Sequence, residues 1–315
     1  MPATKLSAEP MRTDFYYESQ CGGQLHGCRW TPEGEVKAII QIVHGIAEFV
    51  ERYDDFAQFL NTKGILVVAE DHMGHGQSIT AESPKGYFAG GWFGAVEDTY
   101  RLMQDTMAEF PGVPYILFGH SMGSFMARTI LAKYPNSGIA GAIICGTAWQ
   151  PAAVLTAGHM ACKLVCKTGD PTKPSKLLHA MAFGSYNSKI EHPRTASDWL
   201  SRDKKIVDAY EAHPLCGFMA SAGLMADMME GIAWIQDERN TAAMKKDLPV
   251  YFIAGGDDPV GAYGSGVLKA VEMFKTWGME QVSHKIYPLC RHEILNEINK
   301  EEVYSDVYRW INNVI

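Results

Sequence analysis

Along the chain, short continuous apolar runs alternate with apolar stripes at helical spacing. Residues 36–43, 64–69, 115–118 and 139–145 are runs of the kind expected for strands buried on both faces. Between them Tyr53, Phe56, Ala57, Phe59 and Leu60 recur at the helical period. Residues 93–110 do the same, as do Met122, Phe125, Met126, Thr129 and Ile130, with a stop near Tyr134 and Pro135. Upstream, residues 15–19 and 24–30 read as a hairpin joined at Cys21, Gly22 and Gly23. Strands and helices taking turns predict an α/β fold with a mostly parallel central sheet flanked by helices. After Gly146 the pattern changes. Residues 147–241 carry no clean strand. They show apolar helical stretches at 152–165, 177–183 and 218–235, separated by turns rich in Pro, Gly and Lys. Sheet pattern resumes at 248–254, followed by a helix at 267–277, a strand at 282–287 and a last helix at 303–310. The expected organisation is a core made of residues 1–146 and 242–315 around one inserted helical cap, 147–241. Met219, Met225, Met228 and Met229 give the insertion adaptable apolar side chains, as a lid over a site needs.

Composition narrows the class. With 47% hydrophobic and 20% charged residues, the 315-residue chain has material for a sizeable core. A formal net charge of −8 without any basic run opposes binding to nucleic acid and to strongly anionic membranes. The first ten residues lack the apolar segment of a signal peptide, and no apolar run reaches the roughly 18 residues that span a bilayer. The seven cysteines, Cys21, Cys28, Cys145, Cys162, Cys166, Cys216 and Cys290, are odd in number and irregular in spacing. Cys162 and Cys166 have no second Cys or His pair to complete a zinc site, so no metal is expected from spacing. Free thiols in a cytoplasmic protein are the expectation.

The chemistry centres on Gly119, His120, Ser121, Met122 and Gly123, a G-x-S-x-G pentapeptide between a buried strand and a helix. That context is a nucleophile elbow, a turn so sharp that a Cβ two residues from the serine would clash. It presents the hydroxyl at a helix N-terminus, where developing negative charge is favoured. A serine needs a base, and the base needs an orienting acid. In this architecture the chain order is serine, acid, histidine. Asp257 and Asp258 follow the strand at 248–254, and His292 follows the strand at 282–287. His284 lies inside that last strand and is expected to point elsewhere. The oxyanion hole needs two backbone N–H groups, expected from Met122 and from Ile46 in the loop of His44, Gly45 and Ile46.

With these residues in order, the chain resembles the α/β-hydrolase superfamily. Within it, the resemblance is to the monoacylglycerol lipase and lysophospholipase-like serine hydrolases of bacterial type. The matching sets are His44, Gly45, Glu48, Arg52 and Tyr53; Asp71, His72, Gly74, His75, Gly76 and Ser78; Gly119 to Gly123; Gly255 and Asp258; and His292 with Glu293. They cover most of the predicted core. The resemblance implies an α/β-hydrolase fold with an inserted helical cap, and it selects Asp258 over Asp257 as the acid. It also implies that Glu48 and Arg52 form an ion pair bracing the loop of His44 and Gly45. The stretch from Asp198 to Phe218 is similar to cap segments of bacterial proteins named lysophospholipases. One departure is Gly261, near where lipases of the mammalian type carry a cysteine beside the acid, so their thiol-directed inhibition does not transfer.

The reading is a serine ester hydrolase acting on a monoacyl lipid without a cofactor, its partner a small amphipathic ester, with the cap as the surface for any transient membrane contact. The competing readings are a short-chain carboxylesterase, a peptidase of the proline-iminopeptidase type, and a non-catalytic binding protein on the same fold. An intact Ser, Asp and His set argues against the last.

Overall fold

Alternate residues of the central strands feed two separate apolar cores, and that period of two decides the layering. Ile39 and Val43 enter one core, while Ile40 and Ile42 of the same strand enter the other. The structure, a computed structural model, describes residues 11–315; the first ten residues, on which the signal-peptide reading falls, lie outside the described residues. Its strands are β1 (Met11–Glu18), β2 (Gln24–Thr31), β3 (Ala38–Val43), β4 (Ile65–Glu70), β5 (Tyr115–His120), β6 (Gly141–Cys145), β7 (Val250–Gly255) and β8 (Val282–Tyr287). They form one eight-stranded sheet in the order β1-β2-β4-β3-β5-β6-β7-β8. β1 and β2 join antiparallel, and every pairing from β4 through β3 to β8 is parallel. This is the α/β-hydrolase fold.

The helices between strands are α1 (Asp54–Asn61), α2 (Gly91–Glu109) and α3 (Met122–Lys133). The helices α4 (Ala152–Thr168), α5 (Lys176–Phe183), α6 (Lys204–Ala212), α7 (Ala222–Ile235) and α8 (Glu238–Thr241) all lie between β6 and β7. The chain ends with α9 (Ser265–Thr276) and α10 (Lys300–Val314). Phe56 and Leu60 of α1 and Val303 and Val307 of α10 pack on one face of the sheet. Met103 of α2, Met126 and Ile130 of α3 and Val271 of α9 pack on the other. No helix among the described residues is long and apolar enough to cross a membrane.

Between β6 and β7 an isolated bridge, Pro174 to Ser221, is the sole strand-like pairing among the described residues. This segment is tied to the core unevenly. The short turn Asp198–Leu200 accepts backbone hydrogen bonds from the loop after β8: His292 N–H donates to Trp199 O and Glu293 N–H to Leu200 O, at 3.3 and 2.7 Å. Arg291 Nη1 donates to the carbonyls of Asp198 and Ser201. α4 and α5 instead carry much exposed apolar surface, with Met160, Leu164, Leu177 and Met181 all more than half exposed.

Three local differences from the sequence pattern have physical causes. β5 runs two residues past Phe118, because Gly119 and His120 keep the parallel register with Ile144 and Cys145 up to the turn. α7 starts at Ala222 and not near Phe218; Ser221 caps it, its Oγ accepting from Leu224 N–H at 3.0 Å. α6 has no counterpart in the pattern reading. Only Val207 and Tyr210 are buried in it, too narrow a stripe among Lys, Asp and Glu to stand out.

Candidate active site

The loops after the parallel strands meet at the carboxyl edge of the sheet, where sites form in this architecture. Ser121 stands between β5 and α3 at φ 53° and ψ −121°, a strained conformation for a residue with a Cβ. The flanking glycines make that turn possible. A Cβ on Gly123 would run into the carbonyl of Val43, and one on Gly119 into the carbonyl of Gly123. Ser121 therefore sits at the N-terminus of α3, its side chain at a cavity of about 740 Å³.

His292, in the loop after β8, lines the same cavity. Its Nδ1–H donates to Asp258 Oδ2 at 2.9 Å, and Asp258 Oδ1 accepts from Val260 N–H at 2.8 Å. Of the two adjacent carboxylates, then, Asp258 meets the imidazole and is fully buried, while Asp257 is exposed. With Nδ1 engaged, Nε2 is the nitrogen left for chemistry in the cavity. Trp199 from the insertion packs against the ring, centroids 5.0 Å apart. His284 is exposed on β8, away from these groups.

Ile46 and Met122 both line the cavity, and among the described residues neither N–H donates to a protein acceptor. Gly45 brings this loop close: a Cβ there would lie 3.0 Å from Ser121 Cβ and 2.7 Å from Glu48 Oε1. His44 does not face the cavity. It is buried below, its Nδ1–H donating to Gly45 O at 2.7 Å and its Nε2 accepting from His72 N–H at 3.0 Å. Glu48 holds the loop from the side, accepting from Gly45 N–H at 2.6 Å, Tyr53 Oη at 3.0 Å and His120 Nδ1 at 3.1 Å.

Arg52 pairs with Glu48 at 2.7 Å, and it also forms a two-pronged pair with Glu293 at 2.6 Å on each arm. One guanidinium thus links the Ile46 loop to the residue beside His292. Burial alone would raise the Glu48 carboxyl, but the His120 hydrogen bond and the charges of Arg52 and His120 hold it below the usual range. Burial would lower His120, but the Glu48 hydrogen bond and charge, with those of Glu293 and Asp258, hold it above the usual range. Burial opposes the Arg52 cation too, and Glu293 and Glu48 outweigh it. Glu293 and His120 are the supporting groups that pattern reading leaves without a role. Each is adjacent in sequence to a residue singled out for chemistry, the only signal available.

The cavity walls come from the insertion: Leu155, Leu178, Met225, Met228 and Ile232 among others. Three carboxylates line it. Glu48 and Glu293 are engaged with Arg52, and Glu211 is exposed. The arrangement brings the Ser121 hydroxyl, the His292 imidazole, the N–H groups of Ile46 and Met122 and apolar walls to one cavity.

A family model described as serine aminopeptidase, S33 (Hydrolase_4) matches residues 34–299. The monoacylglycerol lipase of Mycolicibacterium smegmatis is 28% identical over 283 residues, covering 90% of both chains. The monoglyceride lipase of Rattus norvegicus is 28% identical over 288 residues, covering 88% of this chain and 86% of that one. Among solved structures, a highly thermostable carboxyl esterase from Bacillus coagulans in complex with glycerol superposes with a TM-score of 0.88 and 29% identity, over 96% of this chain and 98% of the other.

Proposed function

This chain belongs to the Hydrolase_4 family and is a carboxylic ester hydrolase similar to the monoglyceride lipases, and on that premise we propose that it cleaves monoacyl lipids, monoacylglycerols or lysophospholipids, with Ser121, His292 and Asp258 as the working triad. The observation that carries the substrate class is the apolar chamber over Ser121, walled by Leu and Met of the insertion. In the proposed course, Ser121 Oγ attacks the ester carbonyl as His292 Nε2 takes its proton. The oxyanion is held by the N–H groups of Ile46 and Met122. His292 then protonates the departing alcohol, leaving an acyl-serine. Water, deprotonated by His292, attacks the acyl-serine; the fatty acid leaves and Ser121 regains its proton. Asp258 keeps the imidazole in the tautomer with Nε2 free. The course uses only protein groups, the ester and water.

The aminopeptidase activity in the family description calls for a carboxylate that can meet a free amine. The two buried carboxylates at the cavity are already paired with Arg52, which favours esters. Residues 147–241 act as the cap, residues 1–146 and 242–315 as the core. The exposed Val154, Met160, Leu164, Leu177 and Met181, with Lys163, Lys167, Lys173 and Lys176 also exposed, give α4 and α5 a face suited to transient contact with a lipid surface. Seven free thiols fit a cytoplasmic setting.

The test is kcat/KM on monoacylglycerols and 4-nitrophenyl esters of increasing chain length, kept below aggregation. Each buried methylene contributes about 0.8 kcal/mol at most, so a few raise kcat/KM by one to two orders of magnitude. Activity that peaks at acetate and vanishes on monoacylglycerols would refute the lipid reading. A fluorophosphonate should label Ser121, and Ser121→Ala should lower kcat by about 10⁴ or more. Label on a different serine would refute the assignment. Leu164→Ser with Leu177→Ser should weaken adsorption to vesicles and leave turnover of a short soluble ester unchanged; equal adsorption would exclude this face.

A further inference from the structure

A second cluster of reactive side chains lies on the hairpin at the sheet edge, away from the cavity. Asp14 on β1 stands directly opposite Cys28 on β2, and His26 is two residues before Cys28, so the three share one face of the hairpin. Their ligand-type atoms all lie within 4.8 Å of one another. Cys28 Sγ is 3.2 Å from Asp14 Oδ1, and His26 Nε2 is 3.8 Å from that oxygen and 3.9 Å from the sulfur. A tetrahedral zinc ion with ligand bonds of about 2.0–2.3 Å would hold such atoms about 3.3–3.6 Å apart. Exposed Asp14 can rotate to adjust its own two distances, and a small turn of the Cys28 side chain closes the 3.9 Å between its sulfur and His26 Nε2.

The histidine is already oriented as a ligand. Fully buried Asp71 accepts from His26 Nδ1 at 2.7 Å, which puts the lone pair on Nε2 and points it into the triangle. A carboxylate behind the imidazole is the support that metal-binding histidines use. Two neighbours compete for the same atoms. Gln77 Nε2 is 3.3 Å from His26 Nε2, and Arg12 Nε is 3.6 Å from Asp14 Oδ1. Both have other partners: Gln77 bonds Glu51 and Tyr16, and Arg12 pairs with Asp54 at 3.2 Å. Either can withdraw without being left unpaired. The Cys28 thiol donates to Asp14, so its proton occupies the place a cation would take. Burial and the Asp14 carboxylate raise that thiol far above its usual range.

The geometry points to a site for a divalent cation of the zinc class, held by Asp14, His26 and Cys28 with a fourth position open to water. Thiolate, imidazole and carboxylate together suit a borderline cation better than calcium or magnesium. Binding forms a metal–sulfur bond and releases the Cys28 proton to solvent, with no change of oxidation state. The cation's two positive charges balance the thiolate and the Asp14 carboxylate. Asp71 carries the effect inward: it also accepts from the N–H groups of Val50 and Gln77, and the next residue, His72, donates its N–H to His44 below the Ile46 loop. The cation would clamp the edge hairpin to that loop system.

The experiment titrates the tag-free full chain with Co²⁺ as a spectroscopic probe, then competes it with Zn²⁺. One equivalent should produce thiolate-to-cobalt absorption in the near ultraviolet and the intense visible bands of a tetrahedral ion. Zn²⁺ should abolish both and raise Tm. Cys28→Ser should lose the ultraviolet band, and Asp14→Asn should weaken binding, while both keep a folded far-ultraviolet spectrum. Absence of the band at millimolar cobalt, or its persistence in Cys28→Ser, overturns the site.

Discussion

At the scale of single residues, the proposed role of His292 turns on the placement of one carboxylate. Asp257 and Asp258 share a turn, so only one can face the imidazole, and the buried Asp258 is the one in hydrogen bond with Nδ1. An asparagine at 258 keeps the shape and loses both the stabilised imidazolium and the tautomer. Asp258→Asn should therefore lower kcat by about 10⁴, as in other triads. Asp257→Asn should stay within a few-fold of the parent, because its side chain points to water. Steady-state kinetics of the two variants on one soluble ester checks this, and equal losses would remove Asp258 from its role. Ser121 shows the same economy of geometry. Its positive φ is tolerated because Gly119 and Gly123 leave room for α3 against β3 and β5.

At the scale of elements, the site is held by bridges between loops that belong to different strands. Arg52, just before α1, grips Glu48 beside the Ile46 loop and Glu293 beside His292. Removing one member of a buried charged cluster strands the others, at a cost of about 3–5 kcal/mol. Arg52→Met should destabilise the fold by that order and lower kcat more than it raises KM, since the two loops lose their common anchor. Arg52→Met combined with Glu293→Gln should be less destabilised than the sum of the single changes, because one stranded charge is gone. Urea denaturation of the three variants tests the coupling, and strict additivity would exclude it. The Glu48 arm of this bridge was expected from the family resemblance, and the Glu293 arm marks where the sequence stopped being legible. Runs such as Ile39 to Val43 and the stripe through Met126 and Ile130 announced strands and helices, because burial imposes their period. Chemistry and chain order placed Ser121, His292 and one of Asp257 and Asp258 at the same edge of the sheet, and the family resemblance chose Asp258, the one that meets His292. The supporting roles of Glu293 and His120 were not legible, because contacts that span 241 positions to Arg52 and 72 to Glu48 leave no local pattern. α6 was hidden for a related reason, with only Val207 and Tyr210 turned inward. The Asp14, His26 and Cys28 cluster escaped a search for paired cysteines because it forms across two strands.

For the whole molecule, the packed loops that follow β3 and β4 tie stability to pH. Burial pushes His44 down to about 3, His72 to about 4 and His75 to about 3, and for His44 and His75 a neighbouring imidazole's charge lowers them further. Their partners explain why they must stay neutral. His44 Nε2 accepts from His72 N–H, so a proton on it would face another donor. His75 is enclosed by Phe88 and Phe218, with Nε2 lacking a partner in the described structure. Each histidine is protonated near 6.5 in the unfolded chain and only near 3 to 4 when folded, so the unfolded state binds more protons between those values. Their contribution is complete above pH 6.5 and is lost as pH falls toward 4. Carboxyls act the other way in the same range: burial holds Glu70 up at about 8, Asp227 at about 7 and Asp98 at about 6. A pH titration of the parent alone would mix these opposing signs. A comparison with His75→Gln separates them, because the carboxyls are common to both chains and cancel. At pH 7 the substitution should cost stability through lost packing against Phe88 and Phe218. At pH 5 that deficit should shrink by up to about 2 kcal/mol, at about 1.4 kcal/mol per pH unit below 6.5. Denaturant unfolding of both proteins at the two pH values measures the difference, and a deficit that stays constant or grows on acidification would show that His75 takes up its proton in the folded state.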